Sequence, residues 1–243
     1  MLTLPTISPI SEQNRQRQGL RRLHRIIGTR SRFVLHDQDS PHRDALQAYI
    51  ATCFARAYRA EVTEFAPLLL ELSCAGKING VAGIRPAGRS PLFLEHYLDD
   101  QVERVAATLT GQPVERREIV ELGNLAALRP GACQLINIML AATLHDAGFR
   151  YAGLVSTAKL ERILRRQHFS VQNVVTADPA RLGRAAAKWG NYYDSAPKVI
   201  WIDLAKTVAA LHEQRLPAAI CLHFAATIDQ LAGQIRMRND TPD

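Results

Sequence analysis

The chain of 243 residues has no apolar run near the roughly 20 residues that a bilayer-spanning helix needs. Its most apolar stretch, "LPAAICLHFAATI" at 216–228, is too short and carries His223. Cysteine is sparse: Cys53, Cys74, Cys133 and Cys221 form no CxxC pair and no zinc-type spacing, so a disulfide framework and a structural zinc site are not expected. G-x-S-x-G, HExxH and Walker A motifs are missing, which removes the common serine-hydrolase, zinc-protease and P-loop readings. The apolar residues of the first 30 positions are scattered and their arginines follow them, so the N-terminus does not read as a signal peptide. Repeats and low-complexity tracts are also lacking. A reduced, cytoplasmic globular protein is the expectation.

Positive charge is in excess, with a formal net charge of +7. Much of it lies in one block, where Arg15, Arg17, Arg21, Arg22, Arg25 and Arg30 face Glu12 alone. Such a block attracts nucleic acid, anionic lipid or an acidic protein, or is simply a solvated arm. No aromatic side chains interleave with these arginines, so a base-stacking platform for specific nucleic-acid binding is not indicated.

Periodicity predicts the order of elements. "RFVLHD" (32–37) reads as a strand and 40–60 as a helix, with Ser40 as N-cap and Pro41 in its first turn. Residues 67–88 read as two strands turning at Gly76-Lys77, 92–109 as helical in its second half, and 117–128 as a strand. A helix over 133–148 follows, ending at Gly148, then strand 151–157, helix 158–169 and strand 170–177. Asp178-Pro179 opens a further helix, 197–204 is a last strand, and 205–238 has helical periodicity. Strands and helices mixed in this order make an α/β or α+β sandwich. A Rossmann arrangement would place a glycine-rich turn after the first strand, and "RFVLHDQDSPHRD" contains no glycine.

The glycine turn lies mid-chain, in "VELGNLAALRPGACQ" (120–134). A strand running into such a turn and a helix N-terminus makes an anion cradle from unpaired backbone N–H groups. Arg129 would add charge there, and Gly131, Ala132 and Cys133 would let a pyrophosphate or phosphopantetheine approach the backbone. The alternative is an ordinary strand–turn–helix junction. Glu121, on an otherwise apolar strand, suits a general base with a raised pKa, or a structural carboxylate pairing with Arg85 or Arg117. Asn124 suits polarisation of an acyl carbonyl, or a left-handed turn position after Gly123. Arg85 suits a carboxylate fork or a surface site. In "WGNYYDSAPKV", Asp194 with Tyr192 or Tyr193 suits proton delivery to a leaving thiolate, or packing before a strand.

The order of antiparallel strands, then strand–"RPGA"–helix, then strand–helix–strand resembles the Gcn5-related N-acetyltransferase (GNAT) fold. There a Q/R-x-x-G-x-G/A turn holds the acyl-CoA pyrophosphate; here the glycine stands two residues after the arginine. "GIRPAG" and "VELGNLA" resemble strands of acyl-homoserine-lactone synthases, GNAT relatives that take acyl groups from acyl carrier protein. Over residues 33–203, the blocks "LFLEHYLDDQVE", "REIVELGNLAAL" and "KWGNYYDSAPKV" are similar to the thermostable hemolysin family. The resemblance implies a GNAT-like mixed α/β fold with a largely antiparallel sheet over 31–204; the basic arm at 1–30 and the helical extension at 205–243 fall outside it. The implied activity is acyl transfer from acyl-CoA or acyl carrier protein to a small amine or amino acid, with no permanently bound cofactor and no metal. The family's name implies cytolysis instead, through membrane association of the helical tail, and a catalytically empty binding domain is the third reading.

Overall fold

The computed structural model describes residues 31–128 and 130–240; the basic arm and Arg129 lie outside the described residues. Strands β1 (Ser31–His36), β2 (Leu68–Cys74), β3 (Lys77–Pro86), β4 (Ile119–Ala127), β5 (Tyr151–Ser156), β6 (Ser170–Thr176) and β7 (Lys198–Asp203) form one sheet in the order β1-β2-β3-β4-β5-β7-β6. Every neighbouring pair is antiparallel except β4 and β5. A parallel pair needs a crossover, and helix α3 (Pro130–Asp146) provides it. The mixed, largely antiparallel sheet flanked by helices is the architecture that the family resemblance implies.

Alternation along the strands divides the apolar side chains between two faces. On one face Leu70, Ile84, Val120 and Leu154 pack under α3 together with α5 (Leu204–Glu213), α6 (Arg215–His223) and α7 (Ala225–Asp240). Ile220, Phe224, Ile228, Leu231 and Ile235 of the last helices are buried in this same cluster. Among the described residues no single helix is long and apolar enough to cross a membrane; α6 and the adjoining part of α7 would do so only as a pair bent by 69°.

The second face carries two separate layers. Helix α1 (Arg43–Tyr58) covers β2–β4 with Leu46 and Ile50. A 3₁₀ turn (Phe93–Tyr97) and α2 (Val102–Thr110) cover β5 and β7 through Leu94, Tyr97 and Val102. The cleft between these layers runs along β4.

Two helix starts differ from the periodicity reading. Helix α1 opens at Arg43, because Ser40–His42 form a turn in which the Arg43 amide donates to the Ser40 carbonyl (3.0 Å). The Ser40 hydroxyl is engaged with His36 Nδ1 (2.7 Å), whose Nε2 meets Glu71 (2.9 Å). Helix α3 opens at Pro130, so Gly131, Ala132 and Cys133 are first-turn helical residues and not a preceding loop. Proline suits that position, since its missing N–H would have no intrahelical partner there.

The long β6–β7 connection holds 3₁₀ segments at Pro179–Trp189 and Tyr192–Ser195. It is clamped to the end of α1 by Glu61 N–H to the Lys188 carbonyl (2.6 Å) and Asn191 N–H to the Tyr58 carbonyl (2.9 Å). Between these two bonds Gly190 has φ +54°, and a Cβ there would overlap the Tyr58 and Arg59 carbonyl oxygens. Gly190→Ala is therefore expected to cost about 2 kcal/mol or more, from left-handed strain plus overlap. Thermal unfolding checks this: a melting temperature unchanged within a degree would mean that the clamp does not form.

Candidate functional site

Strands β4 and β5 pair only through Ile119, Val120 and Glu121 opposite Tyr151, Ala152 and Gly153. Beyond Glu121 the two strands part. The cause is visible on the β3 side of β4, where the register slips by one residue between Val81↔Ala126 and Gly83↔Gly123. Asn124 absorbs the extra residue with φ +47°, a left-handed value that asparagine tolerates better than most residues. Its side chain then closes the bulge, Oδ1 accepting from the Ala66 amide (2.9 Å) and Nδ2 donating to the Glu64 carbonyl (3.2 Å). Gly83 allows the close approach: a Cβ there would lie 2.7 Å from Ala66 Cβ and 2.9 Å from Asn124 Oδ1.

A cavity of about 570 Å³ occupies the gap that results. Its lining includes Leu140, Leu154, Leu164 and Phe169 from the α3-covered core. It also includes Phe54, Phe93 and Tyr193, packed on the opposite face, and Trp189, whose ring meets Phe54 and Phe93. The cavity thus passes between β4 and β5, aliphatic at one end and aromatic at the other.

Glu121 stands where the strands part, 5% exposed. Its oxygens accept from the backbone N–H groups of Phe93 (2.8 Å) and Leu94 (2.7 Å), at the start of the 3₁₀ turn. Arg85 Nε lies 3.5 Å away. Burial raises the carboxyl above its ordinary range, and this outweighs the two amide donors and the Arg85 charge. Arg85 also lines the cavity, and its guanidinium has no other ion pair among the described residues.

Tyr192 lines the cavity too, but its hydroxyl donates to the Val155 carbonyl (3.1 Å), and burial holds its pKa well above the usual phenol value. Its neighbour Tyr193 hydrogen-bonds hydroxyl to hydroxyl with the buried Tyr97. Burial raises both phenols, so both keep their protons at neutral pH. Asp194 is exposed and does not line the cavity.

Cys133 lines the cavity near the start of α3, with Asn137 Nδ2 at 3.8 Å from its sulfur. Burial pushes its thiol pKa up, so it is a thiol and not the thiolate that a helix start favours. Gly131 and Ala132, in the same first turn as Cys133, do not line the cavity, and a Cβ on Gly131 would meet open space. Arg85, Glu121, Asn124, Tyr192 and Cys133 are therefore brought together, Asp194 is not, and Arg129 lies outside the described residues. Phe93, Trp189, Arg56 and Lys159 also line the cavity, and residue type alone did not single them out. The signals were the blocks "LFLEHYLDDQVE", which contains Phe93, and "KWGNYYDSAPKV", which contains Trp189. No group of three or more His, Cys, Asp or Glu among the described residues is placed to hold a metal.

A family model described as thermostable hemolysin matches residues 36–208, which include every cavity residue named above. The chain belongs to the thermostable hemolysin family. No curated protein matches it by sequence. Among solved structures, the AHL synthase LasI matches at 14% identity with a TM-score of 0.55, over 76% of this chain and 96% of that one. TofI in an apo form matches at 20% and 0.51, over 78% and 99%. FeeM, an N-acyl amino acid synthase from uncultured soil microbes, matches at 14% and 0.50, over 73% and 93%. At these identities the likeness is one of fold.

Asn124→Ala would leave the Ala66 amide without its partner and put alanine at a left-handed position. A loss of about 2–4 kcal/mol is expected. Asn124→Gly should recover about 1 kcal/mol of that, since only the backbone strain is relieved. Denaturant unfolding of the two variants decides: equal losses would mean that Asn124 carries no backbone strain.

Proposed function

We propose that this member of the thermostable hemolysin family is an acyltransferase, moving an acyl group from a thioester onto a small amine or amino acid. The observation that carries the reading is the cavity between β4 and β5, aliphatic on one sheet face and polar and aromatic on the other. Such a passage suits a bisubstrate transfer, since two ligands entering from opposite ends are held together in the gap. The fold shared with an N-acyl amino acid synthase and an AHL synthase agrees with it.

The chemistry follows from the residues at the gap. The acyl chain occupies the aliphatic end, against Leu140, Leu154 and Leu164. β4 has no strand partner on its β5 side beyond Glu121, so its backbone is open to a thioester or pantetheine amide. Ionised Glu121 takes a proton from the amine, directly or through one water, as nitrogen attacks the thioester carbon. The tetrahedral intermediate collapses with cleavage of the C–S bond. Tyr193 gives its proton to the departing thiolate, while Tyr97 hydrogen-bonds to its oxygen, and Tyr193 is reprotonated from solvent as Glu121 releases the proton it took. Lys159 and Arg56, exposed on the cavity rim, suit the phosphate end of acyl-CoA or of an acyl carrier protein's pantetheine arm. Near the start of α3, unpaired N–H groups and the helix dipole reinforce that attraction.

Purified protein is expected to release free thiol from a medium-chain acyl-CoA or acyl carrier protein when amino acids are supplied. Because the base acts only when ionised and burial raises its pKa, the rate should fall with decreasing pH through a midpoint above about 4.3, the ordinary glutamate value. Arg85→Gln removes a cation that favours the carboxylate, so the midpoint should move further up. Glu121→Gln should lower turnover by about a hundredfold or more. Lack of thiol release from either donor, with rapid dye leakage from liposomes at the same dose, would replace this reading with a membrane-active one.

A further inference from the structure

The aromatic end of the cavity has a composition that bare acyl transfer does not require. Trp189 lies 5.5 Å from Phe93, 6.3 Å from Phe54 and 6.4 Å from Tyr193, centroid to centroid, and all four rings line the cavity. Phe93 is also the residue whose amide holds Glu121, so this wall begins at the buried carboxylate. Trp189 is only half-buried, which leaves part of its indole open to a ligand.

Rings recognise either another ring or an onium cation. Charge decides between them. The cavity is lined by three cations, Arg56, Arg85 and Lys159, and two carboxylates, Glu64 and Glu121. A fixed cation without a carboxylate of its own would enter an already positive cavity, whereas a zwitterion would not. Arg85, committed only through Nε, offers its remaining N–H groups to a carboxylate in forked geometry. A ligand amine on the adjacent carbon then lies towards Glu121.

We propose that the acceptor subsite selects an α-amino acid with a flat aromatic side chain, its carboxylate on Arg85, its amine towards Glu121 and its ring against Trp189 and Phe93. The proposal rests on the acyl-transfer reading for the fate of the amine, while occupation of the subsite is measurable without turnover.

Intrinsic tryptophan emission and calorimetry test it on the unaltered protein, alone and with pantetheine present. Trp201, the only other tryptophan, is 3% exposed and reports little of a ligand. L-Phenylalanine should bind and change the emission. L-Leucine should bind about tenfold more weakly, for want of ring contacts. 2-Phenylethylamine should be weaker than L-phenylalanine by about tenfold or more, for want of a charge-assisted hydrogen bond to Arg85. Trp189→Leu should remove the emission response and most of the preference for phenylalanine over leucine. Arg85→Gln should bring phenylalanine to the affinity of 2-phenylethylamine. Equal binding of glycine, leucine and phenylalanine would overturn the proposal, as would tighter binding of tetramethylammonium or no response in either condition. Selective phenylalanine binding without thiol release from any donor would support the subsite and overturn the acyl-transfer reading instead.

Discussion

The structure turns on the parting of β4 from β5 immediately after Glu121. A sheet that continued its hydrogen bonds here would have a closed centre and no passage between its faces. Continuation fails because β4 carries one extra residue relative to β3, and a bulge both bends a strand and increases its twist. Asn124 accepts the left-handed backbone, Gly83 gives the room, and the loop at Glu64 and Ala66 is tied into the same bulge. Four positions that are unremarkable one by one thus cooperate to open about 570 Å³ at the middle of the fold.

Glu121 couples this opening to the layer above it. A carboxylate buried to this degree costs stability when ionised, and the two amides of the 3₁₀ turn partly offset that cost. The same bonds fix the turn that presents Phe93 and Tyr97, and Tyr97 in turn meets Tyr193. Because burial raises the folded-state pKa, the group binds a proton more readily in the native chain than in the unfolded one. Its own contribution to stability therefore grows as pH falls from neutral towards the ordinary carboxylate range, while its capacity as a base declines. Stability and basicity pull in opposite directions at one side chain.

Much of the fold was legible in periodicity, since each of the seven strands was expected within about two residues of its observed ends. Helix α3 was legible in kind but not in its start: Pro130 reads as a turn residue until the strand before it is known to end at Ala127. Glu121 and Arg85 were conspicuous because charged side chains interrupt apolar strands, and they do pair. Asn124 admitted two readings, and its side-chain bonds show that it holds the bulge. The aromatic wall could not be read, because Phe54, Phe93 and Trp189 come from three separated segments and each looks like ordinary core. Nor could spacing choose between Tyr192, Tyr193 and Asp194, whose directions depend on a 3₁₀ turn that docks on Tyr58, a residue far away in the sequence.

The β6–β7 connection bears Trp189 and Tyr193, whereas the aliphatic end of the cavity is built from α3, α4 (Ala158–Arg166) and the sheet. It is fastened to α1 through main-chain groups, with Gly190 at the junction, and to the layer beside it through Arg181 and Tyr192, while Trp189 makes only ring contacts there. Changes at exposed positions of this one connection would re-surface one end of the passage without touching the α3-covered core, and a scaffold so divided can diversify its ligands without refolding.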